Sequence, residues 1–242
     1  MYKEKIGIIG GFGAYAALNL YKNILEVFKA EKEWDYPHII MDNNFTMPSR
    51  TRALLYNESY GKIVEEIARS VRRMMDLEVE HIVLACGTAH YFLEDVYQQI
   101  PEAEKRVVNI VDVLGEELER ERQQEALIVA AEGTLSKAFY ERRLEKYGVC
   151  CTSPKKEHYG EIRYFIECVK KNEVVDETAE RFLDFLKLFG MKNIILGCTE
   201  FPVLLEYVSA METEGIRKKE YQSYRFFDPM QIVVEWLRDH MV

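Results

Sequence analysis

The sequence lacks any uninterrupted apolar run near the roughly 18 residues that a membrane helix requires, and its first 11 residues carry charges before a short apolar stretch. A membrane span and a secretory leader are therefore not expected, and a cytoplasmic location is. Cysteine is scarce and odd in number, five in 242 residues with no C-x-x-C pair, so neither a disulfide framework nor a zinc ribbon is suggested. Basic charge is also short. With 32 Lys and Arg against 41 Asp and Glu, the net charge of -9 excludes a general binder of nucleic-acid backbones, and an anionic ligand would need a local cationic clamp. Low-complexity segments are absent, and no spacing of His, Cys and Asp suggests a metal site.

What is present is enough apolar material, 48%, to bury a core in one large domain or two small ones. Short β-rich runs alternate with stretches of helical period, the pattern of an α/β protein with parallel sheets. Strands are expected at residues 5–9, 38–41, 81–85, 107–111, 126–130, 148–152, 193–196 and 225–227, and helices at 14–30, 60–77, 134–147, 159–171 and 176–189.

Two strand ends match. The run 81–85 leads into Cys86-Gly87-Thr88 and the run 193–196 into Gly197-Cys198-Thr199. Upstream of each lies a companion strand with a glycine-bearing turn, I-G-I-I-G-G-F-G at 6–13 and L-I-V-A-A-E-G-T at 127–134, at similar separations. The chain thus reads as two similar α/β domains. The first covers residues 1–113 plus 222–242 and carries Cys86; the second covers 114–221 and carries Cys198. The charged stretch 116–125 serves as the crossover, though a solvated helix end accounts for its charges equally. Because parallel sheets bind ligands beyond the carboxyl ends of their strands, the expected active site is the cleft between the domains, lined by both cysteines.

Such a pair suits one reaction type. Inverting a carbon that bears an acidic proton needs two bases on opposite sides, and a thiolate can be had near neutral pH beside hydroxyls or a helix start. Thr88 and Thr199 supply the hydroxyls. Free cysteines more often act as small buried hydrophobes, and Cys150, Cys151 and Cys168 take that reading. His38 and His81, beside apolar strands, are read as hydrogen-bonded structural residues, and His90 as a helix residue near the site. A rival reading comes from Gly11-Phe12-Gly13-Ala14-Tyr15-Ala16, which fits a G-x-G-x-x-A dinucleotide fingerprint with Asp42 as the ribose acid, yet leaves the cysteine pair unexplained.

Taken together, I-G-I-I-G-G-F-G at 6–13, P-S-R-T at 48–51, A-C-G-T-A-H at 85–90, A-E-G-T at 131–134, G-C-T-E at 197–200 and the D-P pair at 228–229 resemble the aspartate/glutamate racemase superfamily, and within it the aspartate racemase branch. The resemblance implies a pyridoxal-independent isomerase without cofactor, commonly a homodimer, that racemises aspartate or a related acidic amino acid with Cys86 and Cys198 as catalysts. It places a carboxylate-binding arginine at Arg50 and a substrate-side lysine at Lys170, with Lys171 adjacent and a family glycine replaced by Asn172. Backbone groups at Gly11 and Phe12 and hydroxyls of Thr88, Thr134 and Thr199 complete the substrate contacts. Gly87 stands where family members carry an asparagine that contacts the amino acid, so substrate identity is expected to depart here. Hydantoin racemase, maleate isomerase or decarboxylase chemistry, and a non-catalytic amino-acid-binding protein, are the alternatives.

Overall fold

The computed structural model describes residues 2–13, 15–210 and 216–242. The chain divides into two compact units, Met1–Leu114 with Pro229–Val242, and Gly115–Asp228.

In the first unit β1 (Lys5–Gly10) lies between β2 (His38–Asn43) and β3 (His81–Leu84), all parallel. β1 is apolar and buried from Ile6 onward because both its faces are covered there, as in any parallel sheet between helices. On one face the helix Tyr60–Asp76 presents Ile63, Val64, Ile67, Val71 and Met74, spaced three and four apart, to a cluster holding Ile9, Ile82, Leu84 and Phe92. Each such fully buried aliphatic chain is worth about 1.5–3 kcal/mol, so a charge at Ile67 would unseat the helix. The helices Ala16–Phe28 and Pro229–His240 pack against each other, so the chain's last helix belongs to this unit. The helix start expected at residue 14 lies outside the described residues.

In the second unit the order is β5 (Cys150–Thr152), β4 (Glu125–Val129), β6 (Asn193–Leu196) and β7 (Arg225–Phe227), again parallel. Three expectations change. The stretch 222–228 does not join the first unit, because β7 pairs with β6 and Pro229 begins the returning helix. Residues 107–111 form a single bridge, Val107 to Ile82, before Asn109 accepts the Val111 N–H at 3.0 Å and opens the helix Ile110–Arg120. An Asx turn there competes with strand extension. The helix expected at 134–147 breaks into Glu132–Ser136 and Phe139–Leu144, with Ala138 at φ 46 between them. The first half of the charged stretch 116–125 is the end of Ile110–Arg120, with an Arg120–Glu117 pair, and the rest is the turn into β4. Among the described residues no helix is long and apolar enough to cross a membrane.

Candidate active site

The register of the two sheets fixes the cysteines. Ile9 of β1 pairs with Leu84 and Val129 of β4 pairs with Leu196, and each cysteine follows two residues later. The intervening residues make the same bond: Ala85 N donates to Ile9 O at 2.9 Å, and Gly197 N to Val129 O at 2.8 Å. A Cβ on Gly197 would lie 2.8 Å from the Ala130 Cβ, so this close crossing accepts only glycine. Cys86 and Cys198 thus occupy one equivalent position, just beyond a strand's carboxyl end, and both are partly exposed.

In the first unit the surroundings are apolar. Cys86 has extended backbone and begins the 3-10 turn Gly87–Phe92, in which Gly87 and Thr88 are buried. It packs on the cluster that also holds Phe12, Met47, Ala89 and Phe92. That cluster joins the glycine turn, the residues flanking the P-S-R-T segment, Met47 and Ala53, and the cysteine. Gly11 has φ +85, and a Cβ there would sit 1.9 Å from Asn44 O, so only glycine carries the chain past the end of β2. Arg50 opens the helix Arg50–Tyr56, whose N-cap Ser49 accepts from Arg52 N. Its guanidinium donates to Pro48 O at 2.7 Å and to Phe12 O, and stands over the Phe12 ring at 5.3 Å. Arg50 Nε is buried without an acceptor, a donor left open at the strand ends. No carboxylate neutralises this arginine through an ion pair among the described residues.

In the second unit the surroundings are charged. The Cys198 thiol donates to Glu200 Oε2 at 2.8 Å, and the Thr199 hydroxyl to the same oxygen at 3.2 Å. Glu200 begins the helix Glu200–Ala210, where an acidic side chain suits the helix dipole. At the end of β4, Glu132 and Thr134 are buried in the short helix Glu132–Ser136. Arg163, from the helix Tyr159–Lys171, donates to Glu132 Oε1 through Nε at 2.9 Å and Nη2 at 2.5 Å. Burial, then the charges of Glu141 and Glu132, push the Tyr159 hydroxyl above its ordinary range.

The structure therefore gathers Gly11, Phe12, Arg50, Gly87 and Thr88 on the Cys86 side, and places Thr199 beside Cys198 and Thr134 beyond the end of the neighbouring strand β4. Lys170 is placed differently: it is exposed on the last turn of its helix and paired with Glu167 at 3.6 Å. Asn172 takes the left-handed position that a glycine would fill, at φ 57. Among the remaining cysteines Cys168 is buried, Cys150 is exposed, and burial pushes the Cys151 thiol up to about 12. His90 is not in an α-helix but in the 3-10 turn, buried, its Nδ1 2.9 Å from Cys86 O. It steadies the backbone of Cys86. The Glu132–Arg163 pair gave no sequence signal, since its partners stand 31 residues apart. Among the described residues no group of three or more His, Cys, Asp or Glu is placed to hold a metal ion.

A family model described as Asp/Glu/Hydantoin racemase matches residues 9–237. The chain is 21% identical over 182 residues to a glutamate racemase of Shewanella loihica, covering 70% of this chain and 66% of that protein. It is 20% identical over 212 residues to the broad specificity amino-acid racemase RacX of Bacillus subtilis, covering 85% of this chain and 89% of that protein. In fold it is similar to an aspartate racemase homologue from Pyrococcus horikoshii, with a TM-score of 0.74 at 22% identity over 98% of both chains.

Proposed function

Since the chain belongs to the Asp/Glu/Hydantoin racemase family, we propose that it interconverts the L- and D-forms of an amino acid, aspartate or a related acidic one, without a cofactor. The observation that carries this reading is the equivalent register of Cys86 and Cys198, each two residues past the partner of a central-strand residue. One thiolate takes the α-proton and becomes a thiol; the other thiol gives its proton to the opposite face and becomes the thiolate. The charges balance within each turnover, and the reverse direction exchanges the roles. The S–H bond to Glu200 suits Cys198 to a proton-donating step.

Arg50 is the reader of the side-chain carboxylate. Among the described residues its charge is held by backbone carbonyls and a ring face, and its open Nε matches a carboxylate oxygen. Backbone groups at Gly11 and Phe12 and the hydroxyls of Thr88, Thr134 and Thr199 supply further donors, whereas Lys170 would first have to leave Glu167. Homodimeric assembly and a cytoplasmic location complete the reading, the former open to light scattering.

The test is proton exchange. Purified protein with L-aspartate in deuterated water, no cofactor added, should incorporate deuterium at the α-carbon and yield both enantiomers. Aspartate binding with no exchange, for any L-amino acid offered, would overturn the racemase and leave an amino-acid-binding protein.

A further inference from the structure

Among the described residues Glu132 is the one acidic residue that is buried. It follows Val129 by three residues, as Phe12 follows Ile9, and so stands at the turn position that Arg50 grips in the first unit. Its own arginine, Arg163, is 66% exposed while the Glu132 side chain is 10% exposed.

The pair is bonded unlike three arginine forks elsewhere among the described residues. Arg52 on Glu58, Arg120 on Glu117 and Arg181 on Glu161 each place Nε on one carboxylate oxygen and Nη2 on the other. In the Glu132 pair both nitrogens converge on Oε1. Among the described residues Oε2 and Arg163 Nη1 make no hydrogen bond; Oε2 is not sealed from solvent, and the Arg163 side chain is largely exposed. A largely buried carboxylate keeping one oxygen unbonded, beside a guanidinium keeping one nitrogen unbonded, forms a neutral pair with one spare acceptor and one spare donor.

We propose that Glu132 and Arg163 read the head of the substrate amino acid, Oε2 accepting from the α-ammonium and Nη1 donating to the α-carboxylate. This rests on the reading that the chain takes an amino acid, and it names the residues that select for one. A neutral zwitterionic head fits a neutral pair, while the uncompensated charge of Arg50 suits a further carboxylate. Both new bonds are charge-assisted, which makes them the strong kind.

The experiment uses ligands that delete one head group at a time. Succinate is aspartate without its ammonium, and 3-aminopropanoate is aspartate without its α-carboxylate. Dissociation constants are measured by calorimetry on the full chain and on Glu132→Gln and Arg163→Gln, with thermal melts to establish folding. Glu132→Gln, which keeps an oxygen for Arg163, should weaken aspartate and 3-aminopropanoate roughly 10- to 100-fold and leave succinate unchanged. Arg163→Gln should weaken aspartate and succinate by a similar factor and leave 3-aminopropanoate unchanged. Where a single variant unfolds, the double variant Glu132→Gln/Arg163→Gln, which leaves no unpaired buried charge, should show both losses. Equal loss of all three ligands, or none, overturns the proposal. If the variants are unchanged while wild type still racemises aspartate, only this proposal falls; if wild type neither binds nor racemises it, the underlying reading falls too.

Discussion

In the first unit β3 delivers Cys86 to an apolar cluster, beside glycines and an arginine held by backbone carbonyls. In the second unit β6 delivers Cys198, at the same register, to a carboxylate, with a buried carboxylate, Glu132, paired to an exposed arginine at the neighbouring strand end. Identical backbone bonds from Ala85 and Gly197 thus lead to unlike surroundings. The comparison teaches that strand geometry fixes where the two thiols stand, while the side chains beyond the strands fix what each thiol does. The two-thiol mechanism proposed above calls for such a combination, two bases matched in position and opposite in protonation at the start of each turnover.

The hardest break removes one side of the comparison. Cys86→Ala and Cys198→Ala should each lower racemisation by roughly 10²- to 10⁴-fold, the range of a lost general acid or base. Each single variant should still exchange the α-proton of one enantiomer in deuterated water, and the two variants should prefer opposite enantiomers. If both favoured the same one, the two sites would not serve opposite faces.

A smaller effect tests the charge that the first unit leaves uncompensated. Arg50→Ala should raise the KM for aspartate by about one to two decades, the worth of a lost charge-assisted hydrogen bond, with little change for alanine. Steady-state kinetics on both substrates decide it, and equal effects would remove Arg50 as the side-chain reader.

Gly87 can sharpen the contrast in polarity. It is not among the positive-φ glycines of the described residues, which are Gly11, Gly148 and Gly190, so an asparagine there carries no left-handed strain. Gly87→Asn should raise kcat/KM on aspartate by about one decade if a regained hydrogen bond forms. A folded variant with unchanged or lower turnover would mean that Gly87 does not set specificity.

The smallest effect separates the units by stability. Cys151 lies in β5, at the edge of the second sheet, with its thiol pushed from 9.0 to about 12 by burial first and by Glu141 next. Between those values the unfolded chain gives up this proton and the folded chain keeps it, so stability falls as pH rises through that window. At pH 10 the loss attributable to this thiol is about 1–2 kcal/mol. Urea unfolding at pH 7.5 and 10 should show it in wild type and not in Cys151→Ser, with hydrogen exchange rising in the second unit first.

Much of this arrangement was legible in the residues. Apolar runs bounded by glycine located β1, β3, β4 and β6, and the cysteines after two of them read as equivalent because a strand's end is a local event. The family motifs then marked Arg50 and the turn glycines. Less was legible where a short segment could go two ways: 107–111 has strand composition, but an Asn109 side chain bond turned it into a helix start.

By itself, then, the sequence determined the two-unit α/β plan and the matched placement of Cys86 and Cys198, because both follow from local hydrophobic period and turn chemistry. Tertiary structure decided which sheet β7 joins, that Lys170 is spent on Glu167, that Arg50 reaches back 38 residues to Phe12, and that Glu132 meets Arg163. These are contacts between elements. They depend on how each helix seats against its sheet, and no local pattern of residues encodes that seating.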